Sequence, residues 1–155
     1  MFQQSFDSPV GRLMIRSNGL EITEISFLHE SGGPDGLALP DALTELAASQ
    51  LEEYFSGKRK EFDLPLKISG TAFQQAVYRA LIQVPFGQTT TYGLLAAQAG
   101  YPGAARAVGT AMRNNRLVIV VPCHRVLAAG GLGGYSCGLE IKRRLLRLEG
   151  IAFTE

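Results

Sequence analysis

Short apolar segments bounded by turn residues fill the first thirty positions of the chain, and apolar residues at helical spacing take over after them. Phe2 to Asp7 is a candidate strand, Ser8-Pro9-Val10-Gly11 a turn, and Leu13 to Arg16 a second strand. Asn18-Gly19 is a strong hairpin signal ahead of Leu20 to Leu28, so a three-strand meander is predicted. Ser31-Gly32-Gly33-Pro34-Asp35-Gly36 reads as a surface loop. Leu43, Leu46, Ala47, Leu51, Tyr54 and Phe55 then recur at helical spacing, with Gly57 placed to close that helix. Glu61 to Leu64 is expected to return as a further strand.

From Thr71 onward the pattern is mainly helical and rich in glycine. Thr71 can cap a helix carrying Phe73, Val77, Ala80, Leu81 and Val84 on one face and stopping at Pro85-Phe86-Gly87. Two shorter helices follow, Thr91 to Ala99 and Gly103 to Arg113, joined by Gly100-Tyr101-Pro102 in a helix-turn-helix arrangement. Between Arg106 and Arg113 every residue is small or apolar. Such a helix is either a packed core element with two exposed arginines, or one slim enough to approach a duplex closely. Leu117 to Val121 is apolar and mostly β-branched, which predicts a buried strand or extended segment. A last helix, Leu139 to Leu148, should turn Ile141, Leu145 and Leu148 inward while Lys142, Arg143, Arg144 and Arg147 add positive charge.

The 155 residues allow one medium domain or two small ones. With 46% hydrophobic and 19% charged residues, the composition is that of a globular protein rather than a disordered or membrane one. No apolar run approaches bilayer length, and the N-terminus lacks the pattern of a secretory signal, so a cytoplasmic protein with no membrane partner is expected. There its two cysteines should be free thiols. A net charge of +1 argues against a nucleic-acid partner until the chain is divided at Gly70. Residues 1–69 hold 6 Lys/Arg against 11 Asp/Glu, net −5, whereas residues 70–155 hold 9 against 3, net +6. The second part is a basic module.

That module also carries the chemistry, in Pro122-Cys123-His124-Arg125-Val126. A thiol with an ordinary pKa of about 8.5 needs a neighbouring His or a helix N-terminus to act as a nucleophile at neutral pH. Adjacent residues of an extended chain point to opposite faces, so a bend at Pro122 or a bridging water would have to connect Cys123 with His124. His124 in turn needs a partner to fix its tautomer, and among Glu140, Glu149 and Glu155, Glu149 is the best placed. The plainer reading makes Cys123 a small buried hydrophobe. His29 beside Glu30, or a set of Cys123, His124, Cys137 and His29, lacks the spacing of a zinc site, and no metal is expected. Ala128 to Gly138 is too rich in glycine for a core and suits either a pocket wall offering backbone N–H groups or a plain linker.

The string Pro122-Cys123-His124-Arg125-Val126, taken with Tyr92-Gly93-Leu94-Leu95-Ala96, Ala104-Ala105-Arg106-Ala107-Val108-Gly109, Ala111-Met112-Arg113-Asn114-Asn115, Tyr135-Ser136, Lys142, Leu145-Leu146 and Glu149-Gly150, closely resembles the methylated-DNA-protein-cysteine methyltransferases, the alkylguanine-DNA alkyltransferases. The match runs from about Thr71 to Gly150, and Ser8-Pro9-Val10-Gly11-Arg12-Leu13 is similar to the family's first domain. The resemblance implies an α+β protein. A small ribonuclease-H-like α/β domain over residues 1–69 would precede a winged helix-turn-helix domain over residues 70–155 that binds DNA and accepts the alkyl group. It implies irreversible transfer of a methyl or alkyl group from O6 of a flipped-out guanine, and from O4 of thymine as a further substrate, to Cys123 in a single turnover. The partner would be double-stranded DNA containing alkylated guanine, the protein a monomer, and no cofactor would be needed.

Carried over residue by residue, the resemblance makes Cys123 the acceptor, with His124 acting through a bound water, Glu149 orienting His124, Asn115 forming a hinge, and Tyr92 contacting the flipped nucleotide and supplying a proton to the leaving base. Arg106 would enter the duplex, Ala107 and Gly109 would line the minor-groove contact, and Arg113 would lie near phosphate. Met112, Val126, Tyr135 and Ser136 would line the pocket, Val126 through its carbonyl, while Arg125 would make an ion pair or touch substrate. Cys137 stands where many relatives have Gly and Arg144 where many have Trp, and the metal ligands of some relatives' first domain are missing. Two rivals remain: a lesion binder without chemistry, whose relatives lack the thiol, and a Cys-His hydrolase, for which no oxyanion hole is visible.

Overall fold

The computed structural model describes residues 1–28 and 38–155. His29, Glu30 and the expected loop of Ser31 to Gly36 lie outside the described residues. The chain divides into two units, Met1–Lys67 with Arg116–Val118, and Ile68–Asn115 with Ile119–Glu155.

In the first unit, strands β1 (Phe2–Ser8), β2 (Gly11–Ser17) and β3 (Ile22–Phe27) form an antiparallel meander in that order, and helix α1 (Ala42–Phe55) packs on it. Pro9-Val10 makes the tight turn that pairs Ser8 with Gly11. The third strand starts at Ile22 rather than Leu20. Asn18 Oδ1 accepts the N–H groups of Leu20 and Glu21 at 2.9 and 2.8 Å, which removes them from the ladder and leaves Leu20 exposed. Helix α1 starts at a capping box between Asp41 and Thr44, buries Ala47, Leu51 and Tyr54, and gives way to Gly57 at φ 78°.

The strand expected over Glu61 to Leu64 does not form. The Gln50 side chain takes both backbone groups of Asp63, at 2.9 and 3.0 Å, and Pro65 has no N–H to offer a ladder. What remains is a single parallel bridge between Ile22 and Leu66. On Ile25 the chain is joined instead by residues 116–118, through Ile25 N–H to the Arg116 carbonyl at 2.8 Å and Val118 N–H to the Ile25 carbonyl at 3.0 Å. Leu117 to Val121 is buried as expected, but its extended pairing ends at Val118. Ile119 has φ 73°, a left-handed conformation that costs a β-branched residue on the order of 1–2 kcal/mol.

The second unit contains α2 (Ala72–Ile82), β4 (Thr90–Thr91), α3 (Tyr92–Gln98), α4 (Ala105–Arg113), β5 (Val126–Leu127) and α5 (Leu139–Leu148). Thr71 and Gln74 form the capping box of α2, and Thr91 caps α3. Helices α3 and α4 make the helix-turn-helix pair, α4 starting at Ala105, two residues later than expected and without a side-chain cap. β4 pairs in parallel with β5, Thr90 opposite Val126. Val77, Leu81, Leu95, Val108, Ala111 and Leu145 are fully buried and form the core. On α5 the buried face is Lys142, Leu145 and Leu146, whereas Leu148 is 37% exposed. The expected inward face is therefore rotated, and Lys142 lies under it rather than on the surface. The whole is the α+β architecture that the resemblance implies. Among the described residues no helix is long and apolar enough to cross a membrane.

Candidate active site

A cleft of about 590 Å³ opens in the second unit. One face of α4 supplies Ala105, Arg106, Gly109, Thr110, Met112 and Arg113, positions that share a face at 3.6 residues per turn, while Val108 and Ala111 turn into the core. Tyr92 comes from the first turn of α3, Gly134, Tyr135 and Ser136 from the glycine-rich loop, and Cys123 from the segment before β5. Seven residues proposed from the resemblance thus share one cavity with the thiol: Tyr92, Arg106, Gly109, Met112, Arg113, Tyr135 and Ser136. Ala107 and Val126 do not line it. Ala107 is exposed, and Val126 is fully buried with its carbonyl accepting the Lys142 ammonium at 2.7 Å.

The thiol segment is not extended. Cys123 to Arg125 make one 3-10 turn after Pro122, so side chains of adjacent residues diverge by about a third of a turn instead of alternating. Cys123 is buried, and burial pushes its thiol up to about 11, against hydrogen bonds from the Asn115 and Tyr135 side chains and the charge of Lys142, which lower it. At neutral pH the group is a protonated thiol. Asn115 also donates from Nδ2 to the Val121 carbonyl at 2.9 Å, tying the end of α4 to the residues just before Cys123.

His124 and Glu149 are both buried, with His124 Nε2 2.6 Å from Glu149 Oε2. The same carboxylate accepts Arg125 Nε at 2.8 Å, Arg125 Nη2 at 3.0 Å and the Gly87 N–H at 3.2 Å. Arg125 therefore makes the ion pair, and its remaining nitrogen donates to the Val84 carbonyl at 2.8 Å. Burial alone would raise the Glu149 pKa, but the His124 hydrogen bond and charge and the Arg125 fork hold it down to about 2. Burial pushes His124 below its ordinary range despite Glu149. A neutral imidazole that donates from Nε2 to a carboxylate must carry its lone pair on Nδ1. That atom is buried without a hydrogen-bond partner among the described residues. The cluster is a tautomer-locked base one residue after a buried thiol in the chain, which can remove one proton and keep the resulting imidazolium paired.

Three residues of this site were not singled out from the pattern. Tyr78, one position beyond the predicted apolar face of α2, is buried and donates its hydroxyl to the Ala111 carbonyl at 2.7 Å, in the last turn of α4. A phenol beside Val77 in an apolar stripe is the signal that was available. Gly133 has φ 74°, and a Cβ there would lie 2.9 Å from the Tyr92 hydroxyl and 3.0 Å from the Ala128 nitrogen, so the loop fits against Tyr92 only with glycine. Lys142 carried no signal beyond its place in the resemblance. Cys137, in the same loop, is half-buried.

A family model described as the DNA-binding domain of 6-O-methylguanine DNA methyltransferase matches residues 72–151, and one described as the ribonuclease-like domain of the same enzyme matches residues 1–68. The chain is 45% identical over 150 residues to a methylated-DNA–protein-cysteine methyltransferase of Mycobacterium leprae, covering 94% of this chain and 90% of the relative. It is 41% identical over 157 residues to one of Methanosarcina acetivorans, covering 97% and 99%. Among solved structures, Mycobacterium tuberculosis O6-methylguanine methyltransferase superposes with a TM-score of 0.86 at 44% identity, covering 96% of this chain and 92% of that one. A Mycobacterium tuberculosis structure in complex with DNA superposes with a TM-score of 0.87 at 43% identity and the same coverage.

Proposed function

The chain belongs to the 6-O-methylguanine DNA methyltransferase family, and from that premise we propose how its own residues carry out the transfer. It is a methylated-DNA–protein-cysteine methyltransferase with DNA as its partner. The substrate in our reading is duplex DNA with guanine alkylated at O6, and O4-alkylated thymine is a further one; the protein acts as a monomer in the cytoplasm. A methyl on O6 lies inside the base stack, so the nucleotide must be flipped out, at a cost of a few kcal/mol that is least for a poorly paired lesion. Arg106, exposed on α4, fills the gap in the stack, with Ala107 and Gly109 against the minor groove and Arg113 near phosphate.

The flipped base enters the cleft between α4 and the loop of Gly134 to Ser136. His124 Nδ1 takes the Cys123 proton through a bridging water, and Glu149 stabilises the imidazolium that forms. The sulfur attacks the methyl carbon in line, a C–S bond forms and the C–O6 bond breaks. The electron pair passes to the base, where the Tyr92 hydroxyl delivers a proton. A thioether has no good leaving group, so each protein reacts once and no cofactor is involved. Glu149 is a positioning residue, since it acts through His124, and Asn115 bonds the thiol itself, while Val126, buried outside the cleft lining with its carbonyl on Lys142, takes no substrate contact in this reading.

The observation that carries this reading is the orphan lone pair on His124 Nδ1, locked by Glu149, one residue along the chain from a buried thiol that forms part of the cleft lining. The test is incubation with a duplex containing methylated guanine, followed by peptide mass spectrometry. A methylene-sized gain on the peptide Leu117–Arg125 is expected, and Cys123→Ala should abolish it. Loss of the methyl from DNA with no gain on that peptide would sink the reading.

A further inference from the structure

The last turn of α4 is closed by a donor from another helix. Tyr78, buried on α2, gives its hydroxyl to the Ala111 carbonyl at 2.7 Å. In a continuing α-helix that carbonyl would take the Asn115 N–H, four residues on. The Asn115 N–H bonds the Met112 carbonyl instead, at 3.2 Å, and the Asn114 N–H spans the Thr110 and Ala111 carbonyls at 3.2 and 3.1 Å. The turn tightens and α4 ends at Arg113. The common glycine stop is not used: Asn114, Asn115 and Arg116 follow the helix, and Asn114 has φ −97° rather than a left-handed conformation.

The residue that follows this turn supports the thiol. Asn115 Nδ2 donates to the Val121 carbonyl at 2.9 Å, the same carbonyl accepts the Cys123 N–H at 2.8 Å, and the Asn115 side chain bonds the Cys123 thiol. Were α4 to continue, Asn115 would be wound into it and its side chain carried off the Val121 carbonyl. Burial and the charge of Cys123 both raise the Tyr78 phenol, so it keeps its proton and remains a donor. We propose that Tyr78 is a positioning residue for the transfer: its hydroxyl ends α4 at Arg113 and thereby fixes Asn115 against the thiol segment. The proposal rests on Cys123 being the acceptor. The ring of Tyr78 is core packing that phenylalanine would supply equally, so the role belongs to the one oxygen atom.

Tyr78→Phe removes that oxygen and leaves the ring. Single-turnover transfer from a saturating methylated duplex should fall about tenfold, the scale expected when a reacting group is displaced by a fraction of an ångström. Duplex affinity, set by the outward face of α4, should stay within about twofold, so the loss falls on the rate and not on binding. The same change made in Asn115→Ala should have no further effect beyond about twofold, because the path from the phenol to the thiol runs through Asn115.

Tyr78→Phe that transfers within about twofold of the wild type overturns the proposal. So does a Tyr78→Phe change that slows Asn115→Ala by the same factor as it slows the wild type, since a phenol that merely stiffened the core would act independently of Asn115. Should Asn115→Ala show no cooperative melting transition, the side-chain amide signals of Asn115 in nitrogen-15 NMR spectra decide. In Tyr78→Phe they should shift and exchange faster with solvent, and signals left unchanged refute the proposal. That arm uses no DNA. A wild type that transfers no methyl therefore rejects the alkyl-transfer reading, while the NMR comparison still decides whether Tyr78 places Asn115.

Discussion

Replacing Glu149 by Gln exchanges one oxygen for an amide nitrogen at almost constant volume, yet it alters every contact of the buried cluster. The carboxylate accepts hydrogen bonds from His124, from two nitrogens of Arg125 and from the Gly87 N–H. An amide can accept on only one side, so Arg125 keeps its charge and loses its anion. Removing one partner of a buried ion pair costs on the order of 3–5 kcal/mol. For a chain of this size, each kcal/mol moves the melting temperature by about 2–4 °C, so a drop of roughly 6–20 °C is expected. The chemical effect is separate. If the amide donates to His124 Nε2, the imidazole proton moves to Nδ1 and the base is lost; loss of a general base costs about 10²–10⁴ in rate. Single-turnover transfer from a methylated duplex, measured below the variant's own melting temperature, should fall by that factor, while circular dichroism reports the lowered melting. A variant that melts within about 2 °C of the wild type and transfers within threefold of its rate would refute the argument that Glu149 both anchors Arg125 and sets the tautomer.

Stability should fall as pH drops below neutrality. His124 is held neutral, so the unfolded state binds its proton first from about 6.5 downward, and Glu149, held at about 2, gives stability present above about 4.3 and lost as pH falls toward 2. Urea midpoints that stay level from pH 7 to 4 would contradict this. Gly133→Ala adds a Cβ 3.0 Å from the Ala128 backbone nitrogen at φ 74°, so it should destabilise by about 1–2 kcal/mol in urea melts and slow the transfer. Arg106→Ala should slow transfer from duplex DNA while leaving iodoacetamide alkylation of Cys123 unchanged, since Arg106 is exposed on α4 and, among the described residues, no hydrogen bond joins it to the thiol cluster. Equal slowing of both reactions would place it in the chemistry instead.

Local chemistry made part of this fold legible. Ser8-Pro9-Val10-Gly11 specifies its turn, and Thr71 announces the start of α2, because turn residues and caps act over three or four positions. The misreadings arise where distant groups intervene. Glu61 to Leu64 looks like a strand until Gln50 occupies the Asp63 backbone. Leu117 to Val121 reads as one strand because nothing in a β-branched run reveals that Ile119 must turn once Val118 has paired with Ile25. Lys142 reads as surface charge because its reason for being buried, two carbonyls on separate segments, exists only after folding. The thiol, its histidine and Glu149 were legible as a set, since the choice of carboxylates in the basic part was small. That Arg125 shares Glu149, and that Val84 completes its coordination, depended on the loop after α2, which has no pattern of its own.

The burial of Cys123 bears on how long the protein lasts before it meets damage. Burial raises the Cys123 thiol, so at neutral pH it is held in the protonated form, the form that reacts least with alkylating agents and peroxides. The buried, protonated thiol keeps its reactivity in reserve. For a protein that can react only once, that reserve sets its useful lifetime: the molecules present when a lesion forms are still competent, and their number rather than their speed limits how many lesions can be cleared.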